Sequence, residues 1–182
     1  MDGPIPIRLA SIYVPFVGSI DTKLNTFDAR VDVDMMWPST PGDLKNFAAD
    51  EVKFRPEFCP DLVVQNAGKL DKRLIPNANL NPFTVKEGSS NFVRVRCEGS
   101  FIEDFELEHF PFDIQDLKMT FTLSFTDATT AIFVLDSSAT SFCVLTRYTA
   151  LPEWNFVRLA AFCQIKENFT RKSSTTRMMN DE

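Results

Sequence analysis

Along most of this chain apolar and polar residues alternate with a period of two, the spacing of strands with one face buried and the other wet. Ile7, Leu9, Ile12, Val14 and Phe16 mark a first strand over 5–16 whose phase shifts near Ser11, with Pro15 placing part of it at an edge. Gly18 and Ser19 are expected to end it. Ala29, Val31, Val33 and Met35 then alternate with Arg30, Asp32 and Asp34 in a second strand that closes on Trp37, which is expected to pack structurally. Acidic residues on such a polar face read as solvated, so Asp32 and Asp34 are expected to face water.

The stretch 38–50 is a polar connection with room for one short helical turn. Residues 74–85 are loop-like, with Phe83 and Val85 starting a strand, and 87–90 form a turn. Phe92, Val93 and Val95 with Arg94 and Arg96 make another strand, which Glu98, Gly99 and Ser100 are expected to break. From 105 to 108 apolar and acidic residues alternate, Phe105 and Leu107 against Glu106 and Glu108. Pro111 cannot donate to a ladder, so Phe110-Pro111-Phe112 must turn and puts two rings at a loop tip. The return strand carries Leu117, Met119, Phe121 and Leu123 inward and Lys118, Thr120, Thr122 and Ser124 outward. Short apolar runs at 132–135 and 142–145 follow, and Trp154 stands near the start of a last long strand reaching about 165. The expected core includes Trp37, Phe105, Leu107, Leu117, Met119, Phe121 and Trp154.

A chain of 182 residues that is 44% hydrophobic can bury one sizeable core, which argues for a single domain. Eighteen phenylalanines and eleven prolines suit short strands with proline-marked turns. The pattern predicts an all-β fold: a twisted, immunoglobulin-like β-sandwich of about nine or ten mostly antiparallel strands with little helix, ordered over 5–168, with a mobile tail over 169–182. A net charge of −6 argues against a nucleic-acid partner. Cys59, Cys97, Cys143 and Cys163 are scattered, without a Cys-x-x-Cys pair and with one histidine to help them, so a zinc site is not expected. They read as buried free thiols, with an inter-strand disulfide as the alternative. No metal, cofactor or catalytic residue is expected: there is no Gly-x-Ser-x-Gly and no phosphate-binding glycine loop. Glu103, Asp104, Glu106 and Glu108 could suggest an acid–base pair or a calcium site, but a solvated strand face accounts for them better. No stretch reaches the roughly 18–20 apolar residues of a membrane helix, and Met1-Asp2-Gly3-Pro4 does not start a signal peptide, so the chain as written reads as soluble.

Phe110-Pro111-Phe112-Asp113-Ile114-Gln115 resembles the Phe-Pro-Phe-Asp-x-Gln signature of the pentameric ligand-gated ion channels, found between the sixth and seventh strands of their extracellular ligand-binding domain. Further landmarks come in the same order. An Ile-Asp turn at Ile20-Asp21 leads to Trp37; Phe58-Cys59-Pro60-Asp61-Leu62-Val63-Val64-Gln65-Asn66-Ala67 is similar to the family's loop A; and Glu153-Trp154 is similar to the opening of its ninth strand. The resemblance covers about residues 5–168. In animal members a disulfide closes the loop around the signature. The matching positions here are Glu103 and Leu117, so the chain resembles the members without that disulfide, where packing alone is expected to hold the turn.

The resemblance implies a pentamer, homomeric or heteromeric, that binds a small molecule between subunits and couples binding to ion flow. The membrane is reached through a segment absent from these residues. The coupling element falls on Phe110, Pro111, Phe112, Asp113 and Gln115, and the ligand positions fall on Asp32, Asp61, Gln65 and Ser124, with Phe125 a one-residue offset away. Family members place aromatic rings at several of these positions to attract cationic amines. With Asp32, Gln65 and Ser124 there, that box is mostly missing. Asp61 matches an aspartate that braces neighbouring backbone in the family. Asn168-Phe169-Thr170 is a glycosylation sequon, meaningful on an extracellular chain. The alternative is a stand-alone soluble ligand-binding sandwich without a pore.

Overall fold

The computed structural model describes residues 3–86, 88–105, 117–124, 131–135 and 144–145. These residues form nine strands and one helix: β1 (Ile5–Asp21), β2 (Thr26–Pro38), α1 (Pro41–Ala49), β3 (Asp61–Val64), β4 (Ala67–Leu74), β5 (Phe83–Lys86), β6 (Ser90–Ile102), β7 (Phe121–Ser124), β8 (Ala131–Leu135) and β9 (Val144–Leu145). The larger sheet runs β4-β6-β2-β1-β8, with β5 also on β6 and β9 also on β1; β3 and β7 form a second, two-stranded sheet. Pairing is antiparallel except where β8 and β9 run parallel to β1. One hydrophobic core takes side chains from both sheets, as in an all-β sandwich: Ile7, Phe27, Val31, Val33 and Val93 from the larger, and Leu62, Val64 and Leu123 from the smaller.

The sequence pattern explains the long central strands and their irregularities. The phase shift near Ser11 is a break in the β1–β2 register between Leu9 and Ser11, and Pro15 falls in a second break between Tyr13 and Phe16. Gly18 and Ser19 do not end β1, which continues to Asp21 through a third shift between Val17 and Ile20. Asp21 then makes the hairpin, its carboxylate accepting the backbone N–H groups of Lys23 and Leu24 at 2.9 and 3.0 Å. Nor does Gly99 break β6. It stays paired opposite Ala29 with φ at +150°, and a side chain there would run into the Lys69 carbonyl, so the irregular β4–β6 register between Ala67 and Leu70 depends on glycine. β4 itself carries no buried residue, which is why hydrophobic alternation does not announce it.

Phe27 and Phe101 face each other across β2 and β6, both fully buried, with rings stacked at 5.4 Å. Such a pair contributes about 0.5–1.5 kcal/mol beyond its buried area. Trp37 is 2% exposed and meets Phe58 edge-on at 6.4 Å, as its structural role requires. Phe105, Leu117, Met119 and Phe121 are half-buried against the core, and Leu123 is buried. Leu107 and Trp154 lie outside the described residues.

The connection after β2 holds more than one turn of helix. Thr40 caps α1 by accepting from the Asp43 N–H at 3.0 Å, while the Asp43 carboxylate accepts from the Thr40 N–H at 2.9 Å, and Pro41 opens the helix. Asp43 is only 1% exposed and also accepts from the Glu57 N–H at 2.8 Å and the Asn91 amide at 2.9 Å. Burial pushes its carboxyl up, but the hydrogen bonds from Asn91, Thr40 and Glu57 outweigh that and hold it below the usual carboxylate range. One buried carboxylate thus ties α1, the 54–60 connection and the start of β6 together.

Candidate functional site

Three of the ligand positions named from the sequence come together on the small sheet. Asp61 pairs with Ser124 and Val63 with Thr122 across β3 and β7, and Gln65 follows directly. Strand alternation sends Leu62 and Val64 into the core, leaving Asp61, Gln65 and Ser124 exposed on the opposite face. The Gln65 amide donates to the Thr122 hydroxyl at 2.7 Å, and its backbone N–H donates to the Thr120 carbonyl at 2.8 Å. At the Asp61 end of β3 lies an open cleft of about 240 Å³ lined from both sheets, by Cys59, Asp61 and Leu62 on one side and Lys72, Leu74 and Val95 on the other. Lys72 reaches from β4 to donate to the Asp61 carboxylate at 2.6 Å and to the Leu62 carbonyl at 2.9 Å, linking the two sheets. Asp61 therefore holds an ammonium group, where the resemblance implied a backbone brace.

Asp32 lies elsewhere. Lys72 stands opposite Cys97, which is buried in the core, so Lys72 belongs to the inner side of the larger sheet; Arg73, opposite Arg96, belongs to the outer side with Asp32. The expected solvated face is here a ladder of paired charges. Asp34 stands opposite Arg94, Asp32 opposite Arg96, Arg30 opposite Glu98 and Asp28 opposite Ser100. Arg94 grips Asp34 with two bonds at 2.6 and 2.7 Å, and Arg96 grips Asp32 with two at 2.7 Å. Asp32 and Asp34 are only 6% and 5% exposed, because the guanidinium groups cover them and the Ser11 hydroxyl adds a 2.6 Å bond to Asp34. Each arginine is in turn held above its ordinary pKa, chiefly by hydrogen bonding to its aspartate. The Arg30 bond likewise holds Glu98 below the usual range. The Arg94 guanidinium also stands 5.3 Å from the Tyr13 ring. With both Asp32 oxygens engaged, this site is already neutralised before any cationic ligand arrives.

Sequence reasoning missed Lys72, which sits on the unannounced strand β4, and it missed the ladder. The signal for the ladder was present: Asp28, Arg30, Asp32 and Asp34, read against Ser100, Glu98, Arg96 and Arg94 in reverse, put an acid opposite a base in three of four pairs. Cys97 is a buried free thiol as expected, its pKa pushed up to about 11 by burial, whereas Cys59 is free but exposed. Among the described residues no group of histidine, cysteine or carboxylate side chains could hold a metal ion, and no helix is long and apolar enough to cross a membrane. Phe110, Pro111, Phe112, Asp113, Gln115, Phe125, Asn168, Cys143 and Cys163 lie outside the described residues. No protein-family model matches the chain, and no curated protein matches it.

Proposed function

We propose that this chain is the extracellular ligand-binding domain of a pentameric ligand-gated ion channel subunit, at the plasma membrane, coupling a small molecule bound at a subunit interface to ion flow. The observation that carries the reading is the Phe110-Pro111-Phe112-Asp113-x-Gln115 signature, which falls in the chain between β6 and β7, the sixth and seventh strands of the described residues. The β-sandwich supports it, as does the loop A segment leading into β3, whose outer face gathers Asp61, Gln65 and Ser124. The neutralised Asp32 and the polar Gln65 argue for a ligand recognised by hydrogen bonds rather than by an aromatic cage.

The test is to read the coding sequence beyond Glu182. A strand's length of further chain followed by four apolar stretches of roughly 20 residues is the expected result. A stop codon within a few residues of Glu182 would overturn the channel reading in favour of a stand-alone binding sandwich.

A further inference from the structure

One side chain, Asn66, bonds both ends of the segment that carries the signature. Its carboxamide nitrogen donates to the Ile102 carbonyl at 2.9 Å and to the Lys118 carbonyl at 2.7 Å, and its carboxamide oxygen accepts from the Thr120 N–H at 2.9 Å. Its backbone carbonyl accepts from the Ile102 N–H at 2.8 Å. Ile102 is the last residue of β6 and Lys118 precedes β7, so the chain leaves and re-enters the sandwich at this residue. A second contact closes the same base. The Glu103 carboxylate accepts from the Lys118 N–H at 3.1 Å and stands 3.5 Å from its ammonium group, and the Glu103 side chain is 12% exposed. Glu103 is anchored in turn by its own N–H, bonded to the Asn25 carbonyl at 2.9 Å.

We propose that Asn66, with Glu103 and Lys118, is a clasp that fixes the base of the 103–118 connection to the end of β3, doing with hydrogen bonds what a disulfide does in channel subunits that have one. The packing expected to hold this turn is therefore joined by a specific polar lock at the position where the covalent bond would fall. Asn66 follows Gln65 directly, so a displacement of the Asp61–Gln65 face is passed to the base of the connection through one residue. The clasp stands on these hydrogen bonds; its role in gating rests on the channel reading.

Amide hydrogen exchange of wild type, Asn66→Ala and Asn66→Asp tests it. In Asn66→Ala the Thr120 N–H loses its acceptor, so its exchange should speed by about tenfold or more; the Ile102 and Lys118 amides, whose own bonds go to the Asn66 backbone and to Glu103, should speed by less as the base loosens, while Val31 and Val33 in β2 stay within about twofold. Asn66→Asp keeps an acceptor for Thr120 but turns a carboxylate oxygen on the Ile102 and Lys118 carbonyls, so it should loosen Ile102 and Lys118 while changing Thr120 less than alanine does. A positioning role also predicts rescue. In Asn66→Ala, adding Glu103→Cys and Leu117→Cys and oxidising the pair should restore slow exchange at Ile102, whose N–H bonds the Asn66 backbone carbonyl that alanine keeps, and reducing it should abolish the gain. Unchanged exchange at the three amides, a uniform rise through β2 and β6, or no difference between the oxidised and reduced pair would each overturn the clasp. The subunit count of the full-length gene product separates the two readings: local loosening in Asn66→Ala with a wild type that is not a pentamer would retain the clasp and remove the channel.

Discussion

Asp43 offers the sharpest perturbation of the fold, because it is a buried carboxylate held by hydrogen bonds. Replacing it by alanine strands the Thr40 N–H and the Asn91 amide, the latter 1% exposed, while Glu57 is exposed enough for water to take over its N–H. The buried Asn91 donor left unpaired at about 1–3 kcal/mol, and the half-buried Thr40 N–H at about 1–2, give an expected loss of about 2–5 kcal/mol. Asp43→Asn keeps the shape but must turn one N–H group toward a donor, so about 1–3 kcal/mol is expected. The aspartate and asparagine chains should also differ in their response to pH. Because the folded carboxyl lies below its ordinary value, its stabilisation is complete above pH ~4 and is lost as pH falls through the folded value. Urea denaturation at pH 7, 5, 4 and 3 should therefore show a gap between wild type and Asp43→Asn that is constant down to pH ~5 and narrows below pH ~4. Equal stability at pH 7, or a gap that does not narrow in acid, would show that Asp43 is not held as a hydrogen-bonded carboxylate.

The charge ladder predicts that Arg94→Met, which leaves the buried Asp34 with the Ser11 hydroxyl but no cation, costs about 1–3 kcal/mol by urea denaturation, the partial exposure of Arg94 keeping it below the usual figure for a fully buried pair. The double change Arg94→Met with Asp34→Leu should recover a good part of that loss. Gly99→Ala should destabilise by about 2 kcal/mol or more, because it combines a positive φ with a collision against the Lys69 carbonyl, and a neutral result would show that β6 and β4 are paired differently. Phe112→Ala should cost the domain well under the roughly 3–5 kcal/mol of a buried phenylalanine while abolishing gating in the full-length protein, since the coupling reading displays that ring for membrane helices. A large loss of domain stability would count against the coupling role.

How much of this was legible in sequence follows from which side chains point inward. Strands with a core-facing row declared themselves: Val31, Val33 and Met35 in β2, Val93 and Val95 in β6, and Leu123 in β7 all lie where alternation put them. Even the bulge before Ser11 appeared as a change of phase. β4 was silent because it buries no residue and is held by its ladder to β6. Gly18 and Gly99 read as breakers because glycine usually is one, yet both sit inside continuous strands. The start of α1 is fixed by a reciprocal cap between Thr40 and Asp43 and by Asn91, a partner 48 residues away in sequence. At the candidate site, residue positions were legible and their partners were not. Asp61 and Asp32 looked like equivalent carboxylates, but cross-strand register gave one to Lys72 and the other to Arg96 on opposite sides of the larger sheet. Asn66 lay in plain view within the loop A resemblance, but its hold on Ile102 and Lys118 required the fold.

In the proposed channel this sandwich is one of five subunits around a pore. Native mass spectrometry of the full-length gene product, extracted from membranes in mild detergent, tests it most directly. A complex of five subunits that each carry this domain is expected, and a monomer or dimer recovered under conditions that keep a known pentameric channel intact would rule the channel out.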